Sequence, residues 1–212
     1  PVTEPEKTFE GVLDEHPVSI QVNGQWQTFP NAKAAEEASY EEYKANLRRN
    51  AKNFRITDEH LGEGGPKAKF QANVNAIRLL KELEAAGQQA SPEQQEVLSR
   101  YVAWGGLSDA FDQEKPAWAL EYAQLKELLT PEEYAAARSS TLNAHYTSPT
   151  VIQAIYEAVG RMGFETGNIL EPSMGVGNFF GMLPEEMRNS RLYGVELDPV
   201  SGRIAKQLYP KA

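Results

Sequence analysis

The chain has 212 residues, 41% of them hydrophobic and 24% charged, with a formal net charge of −9 and no cysteine. That size and apolar share suit one large globular domain or a domain with a small companion. Disulfides and thiolate metal sites are excluded, and three scattered histidines (His16, His60, His145) form no cluster, so no metal is expected.

No apolar run approaches the length of a membrane span and no leader pattern opens the chain, so a cytoplasmic protein is the expectation. The acidic balance runs against a surface that grips phosphate backbones through Lys and Arg. The chain starts at Pro1 and stops at Ala212 just after a helix-like stretch, as a piece of something longer would, and that remainder leaves room for any basic DNA-binding surface.

In chain order, Val18 to Val22 alternates apolar and polar, Asn23-Gly24 is a preferred two-residue turn, and Trp26 to Phe29 resumes the extended pattern. A hairpin is expected there. Ala32 to about Ala51 is rich in Ala, Glu and Lys, with Tyr40, Tyr43 and Leu47 at helical spacing; Glu36-Glu37 and Glu41-Glu42 read as solvated faces. After a glycine-rich loop, Gln71 to Ala86 carries Val74, Ile77, Leu80 and Leu83 on one helical stripe, stopped by Gly87. Ser91-Pro92-Glu93-Gln94 and Thr130-Pro131-Glu132-Glu133 are capping boxes that open two further helices, and another runs from about Pro116 to Leu128. Trp104-Gly105-Gly106 is either a helix end with a packed tryptophan or a binding corner.

From Thr147 the rhythm changes to alternating helix and strand. Ser148-Pro149 opens a helix ended by Gly163, Asn168 to Glu171 is a short strand, Gly175 to Gly177 a glycine turn, Leu192 to Glu196 a second strand, and Val200 to Leu208 a helix. This is how a parallel α/β sheet begins. The division is into a hairpin-plus-helix segment (1–52), a helical region (53–144) and an α/β segment (145–212). With only two parallel strands, an apolar flank is expected to need cover from the helical region or from another copy of the chain.

Glycines at the carboxyl end of a first strand let the backbone turn sharply and approach a ligand. Here Glu171-Pro172-Ser173-Met174-Gly175-Val176-Gly177-Asn178-Phe179 supplies them, but after Gly175 and Gly177 the third glycine falls at Gly181 and not at Phe180. The dinucleotide fingerprint is not met, which disfavours a nicotinamide cofactor. At the end of the second strand, Glu196 is placed to accept hydrogen bonds from ribose hydroxyls. Asp198 before Pro199 reads as the cap of the next helix.

Thr147-Ser148-Pro149, then the glycine segment, then Gly194-Val195-Glu196-Leu197-Asp198-Pro199 resemble, in order, the first three cofactor motifs of adenine-specific DNA amino-methyltransferases of the gamma class. Upstream, Phe54 to Gly65, Asn73 to Leu83 and Tyr101 to Phe111 resemble the region before the methylase domain of very large methylase–helicase proteins of phages and conjugative elements. The resemblance covers about Asn53 to the end. It implies a partial Rossmann-like methyltransferase fold that binds S-adenosyl-L-methionine, preceded by a helical region and a small β-hairpin segment.

By that resemblance Thr147 and the helix start at Pro149 hold the methionine carboxylate, Glu171 faces the cationic methionine end, and Ser173, Gly175 and Gly177 pass the backbone under the cofactor. Asn178 completes the glycine motif, Glu196 holds the ribose, and Leu197 lies on the adenine face. Ser148-Pro149 as a plain helix cap, and Leu197 and Phe179 as ordinary core residues, remain open alternatives. His145 and Tyr146 lie next to this segment. The implied partners are DNA and a helicase region of the parent protein, and self-association is a further expectation.

The family's catalytic tetrapeptide, an Asn, Asp or Ser followed by two prolines and an aromatic residue, is absent, since no Pro-Pro pair occurs. No catalytic residue is therefore assigned, and the chain by itself is expected to be inactive. The competing expectation is a non-catalytic methyltransferase-like scaffold that packs against a helicase region.

Overall fold

The structure, a computed structural model, describes residues 16–212, so the first 15 residues of the 1–52 segment lie outside the described ones. The chain divides between Ala51 and Lys52 into two compact units.

In the first unit, strands β1 (Val18–Val22) and β2 (Gln25–Phe29) pair antiparallel with Val18 opposite Phe29 and Val22 opposite Gln25. Asn23 and Gly24 both have positive φ, 52° and 74°, the conformation that a two-residue hairpin turn requires. Helix α1 (Ala32–Asn50) follows, and the Asn31 side chain caps it by accepting from the Ala34 amide at 2.9 Å. The side chains of Tyr43 and Leu47, expected on its stripe, lie outside the described ones.

The second unit opens with helix α2 (Pro66–Ala86), which starts five residues before Gln71 because Pro66, at the first turn, is preset for a helix and lacks only a donor that would be orphaned there. Its stripe is buried as the spacing requires, through Phe70, Val74, Ile77, Leu80 and Leu83. Both capping boxes form: Ser91 with Gln94 opens α3 (Pro92–Ser99), and Thr130 with Glu133 opens α5 (Pro131–Ser139). Between them lie the turn at Tyr101–Leu107, 3₁₀ turns at Ser108–Phe111 and Pro116–Trp118, and α4 (Ala119–Leu128). Trp104 is buried at the centre, edge-on to Phe70, Tyr101 and Phe111 with ring centroids 6.0, 6.4 and 5.3 Å away. Trp104 is thus packed, but on a turn and not at a helix end, because α3 already stops at Ser99.

The remainder alternates as the sequence indicates: α6 (Pro149–Arg161), β3 (Asn168–Glu171), α7 (Asn178–Gly181), β4 (Arg191–Gly194) and α8 (Pro199–Leu208). The β3 and β4 strands pair parallel, Ile169 beside Leu192 and Leu170 beside Tyr193. The β4 strand ends two residues before the expected Glu196, although one further rung forms from the Val195 amide to the Glu171 carbonyl at 2.9 Å. Beyond it the chain bends so that Glu196 accepts from the Asp198 amide.

Helix α8 joins the helical region to the sheet. Its Val200, Ile204 and Leu208 are buried, and it packs on α2, α3 and α5 within one continuous core. A buried carboxylate reinforces the joint: Glu133 on α5 meets Lys81 of α2 at 2.8 Å and Arg203 of α8 at 2.7 Å. Burial alone disfavours its charged form, but Lys81, the Thr130 amide and Arg203 outweigh that and lower its pKa. The helices do not cover the other face of the sheet, where Leu170 and Tyr193 remain 63% and 48% exposed.

Candidate functional site

The glycine turn between β3 and α7 has left-handed backbone at both Gly175 (φ +56°) and Gly177 (φ +88°). A side chain there costs roughly 1–2 kcal/mol from the backbone alone. The space beside each is already filled by the protein. A Cβ on Gly175 would lie 2.7 Å from the Tyr146 ring, and one on Gly177 would run into the Tyr209 ring and Met174. These two glycines therefore admit aromatic side chains of the chain itself.

Glu196 is bound to the same turn. One carboxylate oxygen accepts from the Gly175 amide and the other from the Asp198 amide, each at 2.7 Å. A carboxylate offers about four acceptor positions, so outward lone pairs remain for hydroxyl donors. Asp198 caps α8 by accepting from the Ser201 amide at 2.7 Å, which is the role its position before Pro199 implies. The Tyr146 ring lies across Gly175 and its hydroxyl is 3.2 Å from the Ser201 hydroxyl; burial, foremost, drives its pKa well up, so it stays a neutral phenol.

A cavity of about 250 Å³ opens beside this assembly. Thr147, Ser148, Thr150 and Asn178 line one side; Lys69 and Tyr101 of the helical region line another. Ser148 begins α6 without a cap bond from its side chain, so its hydroxyl is not consumed as a plain cap would consume it. The amino end of α6 thus opens on a cavity with three hydroxyl side chains; the helix end and Lys69 favour an anion such as a carboxylate there, while Glu59 and Glu63, also in the lining, oppose one. Glu171 is half-buried at the end of β3 near Tyr156, and burial raises its pKa against the pull of the Ser173 backbone.

The expected site residues therefore form two groups. Thr147 and Asn178 share the cavity; Gly175, Gly177 and Glu196 form the turn beside it. Ser173 is exposed outside the cavity lining. Leu197 is 97% exposed, which removes the ordinary core use for it, because it stands on the bend between β4 and α8 with no neighbour over it. Phe179 packs on Tyr156, ring centroids 6.0 Å apart, and belongs to the core. Lys69, Tyr101 and Gly105 also line the cavity. Nothing in the sequence around Lys69 marks it, whereas Gly105 carried a signal in its glycine pair.

In part, the chain is similar to a methyltransferase. It is 38% identical over 61 residues, 29% of the chain, to the type II methyltransferase M.CvrRI of Paramecium bursaria Chlorella virus XZ-6E. It is 25% identical over 150 residues, 71% of the chain, to the defense against restriction protein B of Escherichia phage P1. The matches span 16% and 5% of the lengths of these two relatives. No family model matches the chain, and no solved structure does. Among the described residues no helix is long and apolar enough to cross a membrane, and no group of His, Asp or Glu is arranged to hold a metal ion.

The chemistry of the residues present is compatible with S-adenosylmethionine. Glu196 is held with acceptors to spare, and the cavity at the start of α6 falls just below the roughly 300–1,000 Å³ of whole small-molecule sites. It is the right size for one end of such a cofactor.

Proposed function

We propose that the chain is the cofactor-binding part of an S-adenosylmethionine-dependent DNA adenine-N6 methyltransferase, in a partial Rossmann-like fold. The observation that carries this reading is the joining of Glu196 to the Gly175 turn beside a cavity that opens at the start of α6 with Thr147 and Asn178 in its lining. Thr147 and the α6 amino end would hold the methionine carboxylate, Glu171 the cationic amine, and Glu196 the ribose hydroxyls. Leu197, exposed at the end of the same bend, is free to lie on the adenine ring. When bound, the cofactor supplies an electrophilic methyl group. The chain's own residues orient it and exclude water from its amino-acid end.

DNA as the substrate rests on the order of the motifs and on the restriction theme in the relatives' names. The absence of any Pro-Pro pair leaves this chain without the group that holds a target amine, so it binds cofactor and does not transfer the methyl group. Titration of the chain with S-adenosylmethionine by calorimetry should show binding, and incubation with labelled cofactor and adenine-containing DNA should show no transfer. Absence of binding, or transfer by this chain alone, would overturn the assignment.

A second reading, a non-catalytic scaffold of a helicase-containing mobile-element protein, gains support from the filling of the glycine turn by Tyr146 and Tyr209. It predicts no heat in the same titration. A nicotinamide cofactor is disfavoured by the glycine spacing and is tested by titrating NAD alongside.

A further inference from the structure

The turn that carries Trp104 is strained and tightly held. Ala103 is buried with φ +54°, one of two non-glycine residues in the left-handed region among those described. Such a conformation persists only where its surroundings enforce it. The enforcing group is Asn73 of α2, fully buried, which donates to the Ala103 carbonyl at 2.5 Å and accepts from the Val102 amide at 2.9 Å. Trp104, one residue on, is locked by three aromatic rings.

What the turn touches lies some forty residues later. Gly105 stands so close to the Ala144 carbonyl that a Cβ would fall 2.8 Å from its carbon and 2.8 Å from His145 Nδ1, and the Gly106 amide donates to the Thr141 carbonyl at 3.0 Å. This segment runs directly into Tyr146, which lies across Gly175, and Thr147, which lines the cavity. A neighbour of the same turn, the buried Tyr101, lies close to Tyr146 and to the Asp198 carboxylate.

We propose that the Ala103–Gly106 turn is a positioning element of the cofactor site, pressing the Ala144–Thr147 segment into register with the Gly175 turn so that the cavity receives the amino-acid end of the cofactor. The helical region is then a working part of the site. Gly105 is the positioning residue: it sets the Ala144–Thr147 segment that brings Thr147 into the cavity lining, and the Tyr146 hydroxyl bond to Ser201 anchors that segment. The inference rests on the S-adenosylmethionine reading. An alanine at 105 would have to displace the Ala144 segment by roughly 1 Å, enough to carry a hydrogen bond of about 2.9 Å out of range.

The test is calorimetric titration of the full chain with two probes: S-adenosylhomocysteine, which has the amino-acid end, and methylthioadenosine, which lacks it. Gly105→Ala should weaken S-adenosylhomocysteine about tenfold or more and leave methylthioadenosine within about threefold. Tyr146→Phe keeps the ring on Gly175 but deletes the hydroxyl bond to Ser201, and should weaken S-adenosylhomocysteine about threefold with methylthioadenosine unchanged; it decides the matter if Gly105→Ala fails to fold. A merely structural role would lower both affinities together, and that result, like no change in either, would overturn the proposal. Binding of neither probe by the unaltered chain would remove the S-adenosylmethionine reading itself, and this inference with it.

Discussion

Glu196→Gln separates what the carboxylate does for the fold from what it does for a ligand. In the folded chain its two oxygens each accept one backbone amide at 2.7 Å, from Gly175 and from Asp198, so it ties the glycine turn to the start of α8. Glutamine retains one acceptor oxygen and presents an NH₂ group to the other amide, donor against donor. Losing one charge-assisted bond costs about 1.5–3 kcal/mol. At roughly 2–4 °C per kcal/mol for a unit of this size, a loss near 2 kcal/mol lowers Tm by about 4–8 °C. Ribose recognition through the outward lone pairs should fall as well, by about 1.5–3 kcal/mol of S-adenosylmethionine binding. Thermal unfolding without ligand measures the first effect, and calorimetry below the transition measures the second. An unchanged Tm would refute the two-amide geometry, and unchanged affinity in a folded variant would remove Glu196 from the site.

Two further outcomes follow from the packing. Gly177→Ala combines left-handed backbone with collision against Tyr209, and should cost about 2–4 kcal/mol in denaturant unfolding; unaltered stability would contradict the φ of +88°. Glu133→Ala removes the shared partner of Lys81 and Arg203 together with a capping box, and should cost about 3–4 kcal/mol at neutral pH. Because the folded-state pKa of Glu133 is lowered, its contribution is fully present above the unfolded carboxylate value, about pH 4, and is lost as pH falls through the folded value. The gap between the unaltered chain and the variant should therefore narrow in acid; a gap that does not change with pH would show that the carboxylate charge is not what holds the joint.

The elements legible in the sequence were those with local causes. The Asn23-Gly24 turn, the Ser91 and Thr130 capping boxes and the stripe of α2 each depend on residues within a few positions of one another, and each formed. Glu133 read as the capping-box partner of Thr130 and is that, yet its larger task joins α2 and α8 across 52 and 70 residues, beyond any local pattern. The site divides in the same way. The order of Thr147, the glycine turn and Glu196 was readable, whereas the use of Gly175 to seat Tyr146 was not, because the side chain that needs the space lies 29 positions earlier. Leu197 shows the converse, since an apolar residue type suggested core and only the bend after β4 reveals its exposure.

The pairing at the rim of the second unit sets the order in which it can assemble. The Phe54 amide donates to the Leu208 carbonyl at 2.8 Å, the Ile56 amide to the Gly181 carbonyl at 2.9 Å, and the Lys211 amide to the Asn53 side chain at 3.0 Å. The first residues of the unit are thus secured by its last. During synthesis, α2 to α5 can collapse around Trp104 early, but the Ile56 amide gains its partner only with Gly181 and the Phe54 amide only when Leu208, at the end of α8, has left the ribosome. Closure of so long a loop comes late and slows completion of folding. Cleavage just before α8 would free Asn53 and Phe54 together with the carboxyl-terminal end and leave the Ile56–Gly181 bond as the remaining backbone tie, so proteolytic nicks there should loosen the amino-terminal edge along with the carboxyl-terminal one.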